Sequence, residues 1–115
     1  MAHAVVLIAD LLFGSRVQEG LRAAGHEVDL VGGREELKER LAGCDVLVVD
    51  LADERLDGVE VVLALGETRP RTLGFYSHVD VETRNRAQQA GFDLVVPRSR
   101  MAREGGELVR RLAGA

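Results

Sequence analysis

Residues 45–62, DVLVVDLADERLDGVEVV, contain the first candidate for chemistry in this sequence. An apolar run ends on the carboxylate of Asp50, and a second acid followed by glycine, Asp57-Gly58, comes seven residues later. An aspartate placed at the end of a buried strand can act as a nucleophile towards a phosphoryl group. It can equally cap the turn that follows, since Asp is favoured at such positions. The residues brought close to Asp50 therefore decide between a reactive and a structural role.

Short apolar runs alternate with amphipathic segments along the 115 residues. In each segment apolar residues recur at spacings of three or four, which is typical of a helix with one buried face. Strands separated by helices predict parallel pairing with right-handed crossovers. We therefore expect an α/β protein, a three-layer sandwich with five parallel strands, as a single domain over residues 1–115. The predicted strands are 4–10, 27–32, 45–50, 72–77 and 93–97.

The predicted helices differ in how much apolar surface they offer to the sheet. The fourth has only a thin face, and the glycine pair Gly105-Gly106 is expected to weaken the first turn of the last one. The predicted buried faces are Phe13, Val17 and Leu21; Leu37 and Leu41; Val59, Val62 and Leu63; Val81, Ala87 and Ala90; Leu108, Val109 and Leu112.

Ligands of parallel α/β sheets bind at the carboxyl ends of the strands. The predicted topology brings two acids, a hydroxyl and a cation to this edge. We therefore treat these side chains as the candidate functional site. These residues are Asp10, Asp50, Ser77-His78 and Pro97-Arg98.

Two stretches of this sequence resemble the receiver domains of bacterial response regulators, and the likeness extends over the whole chain. Receivers end their third strand on the phosphorylated aspartate and open the third helix with Asp-Gly, as Asp50 and Asp57-Gly58 do here. The segment AQQAGFDLVV (87–96) resembles the one that leads receivers into strand five. The resemblance implies the flavodoxin-like (βα)5 fold of CheY-like proteins, with strand order 2-1-3-4-5.

The resemblance also implies a set of site residues. Asp50 would accept the phosphoryl group, and Ser77, or Tyr76 in an ungapped placement, would contact it together with Arg98. Mg²⁺ would be held by Asp10, by Asp50 and by the backbone carbonyl of Ala52. The implied partners are a histidine kinase, a phosphotransfer protein or an effector, and a homodimer stays open.

Several positions depart from the receiver pattern. One of the paired acids after strand one is Ala9, so we expect at most weak Mg²⁺ binding. Pro97-Arg98 replaces Lys-Pro, and a guanidinium forks onto carboxylates in a way that an ammonium does not. The strand-five aromatic is also missing, since Leu94 and Val95 are there instead. One interpretation is a pseudo-receiver, in which Arg98 pairs with Asp50 and fixes a single state.

Composition excludes other classes of function. The net charge of −4 and the absence of Trp argue against a nucleic-acid-binding surface. Cys44 is the only cysteine, and His3, His26 and His78 lack metal-binding spacing, so we predict neither a disulfide nor a zinc site. The apolar N-terminus lacks a basic leader and is interrupted by Asp10, which favours a cytoplasmic protein without a membrane span.

The expected function is therefore signal transduction through protein contacts, by a stand-alone receiver-like domain without metabolic enzyme activity. Two versions stay open. In one, Asp50 is phosphorylated. In the other, the chain is a constitutive interaction module that works without phosphate. Structural alternatives also stay open, because Asp10 and Asp50 could each cap the element that follows, and Arg98 could be a solvated surface charge. Asp57 is predicted to be the N-cap of the third helix, even in a receiver.

Overall fold

A computed structural model describes residues 2–77 and 79–114, and within them strands and helices alternate. The strands are β1 His3–Leu7, β2 Glu27–Val31, β3 Val46–Asp50, β4 Arg71–Tyr76 and β5 Leu94–Pro97. The helices are α1 Leu11–Ala23, α2 Arg34–Arg40, α3 Gly58–Ala64, α4 Val81–Gln89 and α5 Arg98–Ala113. A short 3₁₀ turn, Gly66–Thr68, follows α3.

All strand pairs are parallel, and the order across the sheet is β2-β1-β3-β4-β5. This confirms the predicted flavodoxin-like class and strand order. In this order β3 is the central strand, with β1 and β4 as its two neighbours, because the chain crosses from β2 to the other side of β1 and then adds β4 and β5 outward. The carboxyl ends of β1, β3 and β4 therefore lie side by side at one edge of the sheet. No helix of the described residues is long and apolar enough to cross a membrane.

Helices cover both faces of the sheet, and each face has its own apolar cluster. One cluster joins α1 and α5 to the sheet and includes Val48 and Phe75. The other joins α2, α3 and α4 to the opposite face and includes Val49 and Tyr76. Because successive strand residues point to opposite faces, Asp50 follows Val48 towards the side of α1 and α5.

The buried face of α3 differs from the prediction. Leu63 is 48% exposed, whereas Val61 is 4% exposed and belongs to the core. The reason is Gly58, which packs directly against the sheet at the start of α3 and turns the inner face of the helix towards Val61 and Val62. Val81 of the thin α4 face is likewise exposed, while Ala87 is fully buried.

The glycine pair of α5 also has a different place from the one predicted. The helix begins at Arg98, so Gly105 and Gly106 lie in its middle and not in its first turn. A Cβ atom on Gly106 would lie 2.5 Å from the Cβ of Ala24 at the end of α1. The glycine therefore allows close packing of the first and last helices, at the cost in helix propensity that the sequence indicates.

Candidate functional site

Asp50 is the last residue of β3, and its side chain is almost withdrawn from solvent, with 5% exposed. Its Oδ1 accepts a hydrogen bond of 2.9 Å from the backbone N–H of Ala52. Its other oxygen, Oδ2, receives no hydrogen bond from any residue that the structure describes. The turn after β3 thus fixes the carboxylate through one oxygen and leaves the second available.

Burial dominates the electrostatics of Asp50 and raises the pKa of its carboxyl group. The N–H of Ala52 and the charge of Arg98 act in the opposite direction, while the carboxylates of Asp53 and Asp10 raise the pKa further. Charged groups buried without full compensation are destabilised relative to their neutral forms. The negative charge that a nucleophilic carboxylate needs is therefore held here in an unfavourable environment.

Asp10 caps the first turn of α1, as one of the structural alternatives predicted. Its Oδ1 accepts hydrogen bonds from the N–H groups of Leu12, at 3.1 Å, and Phe13, at 3.3 Å. Its Oδ2 accepts a hydrogen bond of 3.3 Å from the guanidinium of Arg98. The bond from the Phe13 N–H, followed by the pair with Arg98, holds the pKa of Asp10 below its usual range. Both oxygens of this carboxylate are consequently in use.

Arg98 opens α5 and has two contacts with α1. It pairs with Asp10, and its guanidinium carbon lies 3.9 Å from the centroid of the Phe13 ring. The Phe13 ring in turn packs on Phe75 with centroids 5.2 Å apart, and Phe75 is the β4 partner of Asp50 in the sheet register. The pseudo-receiver interpretation expected Arg98 to pair with Asp50, and the structure differs, because the cap of α1 and the Phe13 ring together hold the guanidinium.

A cavity of about 270 Å³ opens beside this pair. It lies at the carboxyl edge of the sheet, where the topology predicted a site. Two cations and one carboxylate contribute to its wall. Its lining residues are Asp10, Leu12, Phe13, Arg16 and Arg98.

The two hydroxyl candidates at the end of β4, Tyr76 and Ser77, lie in different surroundings from each other. Tyr76 is buried in the cluster on the α2, α3 and α4 side of the sheet. Ser77 is exposed just beyond the strand, where its carbonyl accepts a hydrogen bond of 2.8 Å from the N–H of Asp80. Within the described residues no hydrogen bond joins either hydroxyl to Asp50. The neighbouring His78, named as part of the same edge, lies outside the described residues.

The Asp57-Gly58 pair has a structural role. Asp57 adopts a left-handed backbone with φ of 44°, and its Oδ1 accepts a hydrogen bond of 3.3 Å from the N–H of Glu60, which confirms the predicted N-cap of α3. A Cβ on Gly58 would lie 2.4 Å from Cγ1 of Val49. Glycine is therefore required for α3 to lie this close to the sheet.

The described residues do not fit a Mg²⁺ ion as they stand. Mg²⁺ needs near-octahedral oxygen coordination and usually enlists carboxylates. Ala9 contributes none, and the Asp10 carboxylate is already bound by the first turn of α1 and by Arg98. No group of three or more His, Cys, Asp or Glu side chains suited to a metal occurs in the described part of the chain.

Phe13 is the site residue that the sequence did not reveal. The sequence assigned it to the buried face of α1, which is correct, since it is 7% exposed. Its second role is the stacking contact of its ring with the guanidinium of Arg98. This contact depends on the end of β5, more than eighty residues further along the chain. The available signal was its position three residues after Asp10, since that spacing places an aromatic ring on the first helical turn after β1.

Comparison with solved structures shows which proteins share this fold. A response regulator receiver protein from Burkholderia phymatum superposes with a TM-score of 0.84 at 20% identity, covering 99% of this chain and 96% of that one. The receiver domain of the sensor histidine kinase PA1611 from Pseudomonas aeruginosa PAO1, which has a magnesium ion coordinated in its active site cleft, gives 0.82 at 17% identity, with 99% and 98% covered. The BeF3-activated receiver domain of DrrB gives 0.85 at 20% identity, with 100% and 99% covered.

A scan of protein-family models and a search of curated proteins each gave no match to the sequence. At identities of 20% or less, the structural likeness establishes the fold. The five parallel strands in the order 2-1-3-4-5 and the near-complete coverage of both chains agree with it. The chain has the CheY-like receiver fold.

Proposed function

We propose that this chain is a signal-transduction domain of the receiver type, which works through protein contacts and accepts a phosphoryl group on Asp50. The observation that carries the proposal is Asp50 itself, a buried carboxylate at the end of the central strand whose Oδ2 accepts no hydrogen bond from the described residues. Its burial and the nearby Arg98 favour a role beyond capping, because a carboxylate that only caps a turn gains nothing from withdrawal out of water.

The proposed step is a direct transfer. An oxygen of the Asp50 carboxylate attacks the phosphorus of a phosphohistidine or a small acyl phosphate, and a new O–P bond forms. The bond between phosphorus and its leaving group breaks, and the leaving group departs with the electron pair. The guanidinium of Arg98 offers positive charge near the carboxylate while negative charge builds on the transferred group. The implied partners are a histidine kinase or a phosphotransfer protein upstream, and an effector protein downstream.

Intact-mass spectrometry tests the proposal. The chain is incubated with acetyl phosphate or phosphoramidate, with and without Mg²⁺, and is then weighed under conditions that preserve acyl phosphates. Wild type is expected to gain the mass of one phosphoryl group, and Asp50→Asn is expected to gain none. Asp53→Asn is the matched control, since Asp53 lies in the same loop and its side chain contacts the N–H of Arg55 instead; this variant is expected to be labelled like wild type.

Labelling that persists in Asp50→Asn, or no labelling of a folded wild type by either donor, would remove Asp50 as the acceptor. The second of these results would leave a different candidate function, a constitutive interaction module of the same fold.

The ion pair between Arg98 and Asp10 favours that second candidate. It engages the Asp10 carboxylate, which the implied Mg²⁺ site would need, and Tyr76 is packed into the core on the far face of the sheet. A module of this kind keeps one conformation whether or not a phosphodonor is present. Its amide NMR spectrum should then be identical in wild type and Asp50→Asn beyond the loops around residue 50, and it should not change when the donor is added.

A further inference from the structure

Arg98 lies between the start of α5 and the start of α1, where two different groups contact its guanidinium. Its guanidinium lies within 3.3 Å of Asp10 Oδ2 and 3.9 Å from the Phe13 ring centroid, so a carboxylate and an aromatic face hold it from two sides. Arginine suits such a position, since its planar charge stacks on an aromatic face and also donates to carboxylates. Half-exposed ion pairs alone are weak, but the ring contact and the helix cap restrict this one to a single geometry.

The carboxylate that Arg98 binds is the one that a divalent cation would need. With Ala9 beside it, Asp10 is the remaining acid after β1, and its Oδ1 is committed to the first turn of α1. Only Oδ2 is left for a cation, and Arg98 binds it. A guanidinium and a Mg²⁺ ion placed on the same oxygen would repel each other strongly in a partly buried site.

We propose that Arg98 is a built-in cation that takes the place of the divalent ion in this site, so that the wild-type chain excludes Mg²⁺ and removal of the guanidinium creates a site for it. The inference concerns the site of the proposed function but does not depend on phosphate transfer. Its oxygen ligands would be Asp10 and Asp50. Phe13 is then a positioning residue, which keeps the guanidinium over Asp10 by stacking.

Metal titration tests the proposal. Free Mn²⁺ is followed by electron paramagnetic resonance as protein is added, and Mg²⁺ is then used to compete. Wild type is expected to bind Mn²⁺ weakly or not at all. Arg98→Ala is expected to bind roughly tenfold tighter or more, since a unit charge next to the ligands has gone. Arg98→Met, which keeps a long apolar stem against Phe13, should give the same gain and covers the case in which the alanine variant unfolds.

Two further variants locate the site. Arg100→Ala removes a charge from the same turn of α5, where Arg100 pairs with Glu104 at 3.3 Å, and should leave Mn²⁺ binding unchanged. Adding Asp10→Asn to Arg98→Met should abolish the gain. The proposal is overturned if wild type binds as tightly as the Arg98 variants, if Arg100→Ala gives the same gain, or if the gain survives the loss of Asp10.

Failure of this inference and failure of the proposed function are separate results. Phosphate on Asp50 is read by mass, whereas cation exclusion is read by Mn²⁺ in solution without any phosphodonor. A chain that is labelled on Asp50 and binds Mn²⁺ tightly would refute only the inference. A chain that excludes Mn²⁺ and takes no phosphate would refute only the phosphoacceptor role.

Discussion

Asp50 combines burial with incomplete neutralisation, and this sets its contribution to stability. The Ala52 N–H and the charge of Arg98 offset part of the cost of burial, but the net effect is a raised pKa. A raised pKa means that the folded chain binds the proton more tightly than the unfolded chain does. The stability that Asp50 contributes is then fully present below the unfolded pKa, about 3.9, and is lost as the pH rises through the folded pKa.

Asp50→Asn should therefore stabilise the fold at neutral pH, by about 1 kcal/mol, because a neutral amide carries no buried charge. Urea unfolding of both proteins across a pH series measures this. The difference should be largest near pH 7 and should shrink towards zero as the pH falls below about 4. An Asp50→Asn protein that is less stable than wild type at pH 7 would contradict the burial argument. Asp53→Asn, in a more exposed position of the same loop, serves as the control with a smaller expected change.

Helices α1 and α5 show how glycine can serve packing at the expense of propensity. Gly106 faces Ala24 across the helix contact, with too little space for a Cβ. Gly20 of α1 has no atom within 4 Å of a would-be Cβ. Both glycines are in helical segments, but a side chain would have free space at Gly20 and would collide with Ala24 at Gly106.

Gly106→Ala should destabilise the protein by about 1–3 kcal/mol despite the better helix propensity of alanine, because the two helices must move apart. Gly20→Ala is the matched variant and should stabilise by about 0.5–1 kcal/mol, since it gains propensity with no collision. Chemical denaturation of the two variants beside wild type gives both numbers. Equal effects in the two positions would mean that the α1–α5 contact adjusts easily.

Much of the element level could be predicted from sequence, for a physical reason. Apolar spacing reflects which side of a helix faces the sheet, so the face of α1 with Phe13, Val17 and Leu21 was predicted correctly. The face of α3 was partly wrong, because a residue without a side chain, Gly58, decides its orientation and has no weight in an apolar pattern.

The site was predictable only in part. The topology correctly brought Asp10, Asp50 and Arg98 to one edge, because strand ends follow from element order. Which acid Arg98 binds was not predictable, since the choice depends on the Phe13 ring and on the second oxygen of the Asp10 N-cap. Both are side-chain details of residues more than eighty positions away along the chain.

At the scale of the whole molecule, contacts between the first and last elements support one cooperative unit. The N–H of Ala2 donates to Nδ1 of the buried His26 at 3.2 Å, and Nε2 of the same ring donates to the carbonyl of Gly106 at 2.9 Å. One imidazole thus links the residue before β1, the loop before β2 and the middle of α5. We propose on this basis that residues 1–115 form a single domain.

A single domain predicts one unfolding transition. Tyr76 is the only tyrosine and there is no tryptophan, so intrinsic fluorescence reports on one face of the sheet. Far-ultraviolet circular dichroism reports on all helices, including α1 and α5 on the other face. The two signals should give coincident urea midpoints, as two-state unfolding requires. Separate midpoints would show that the two layers unfold independently.

The close contact between Gly58 and Val49 restricts which substitutions can accumulate during evolution. A side chain at position 58 would collide with Cγ1 of Val49, so selection for folding alone retains this glycine, whatever happens at Asp50. Ala9 is exposed, and a change there leaves the packing of the core intact. Substitutions at exposed positions such as this one can therefore accumulate while Gly58 persists. The Asp-Gly pair by which the fold is recognised thus reports on packing and does not by itself report on chemistry at Asp50.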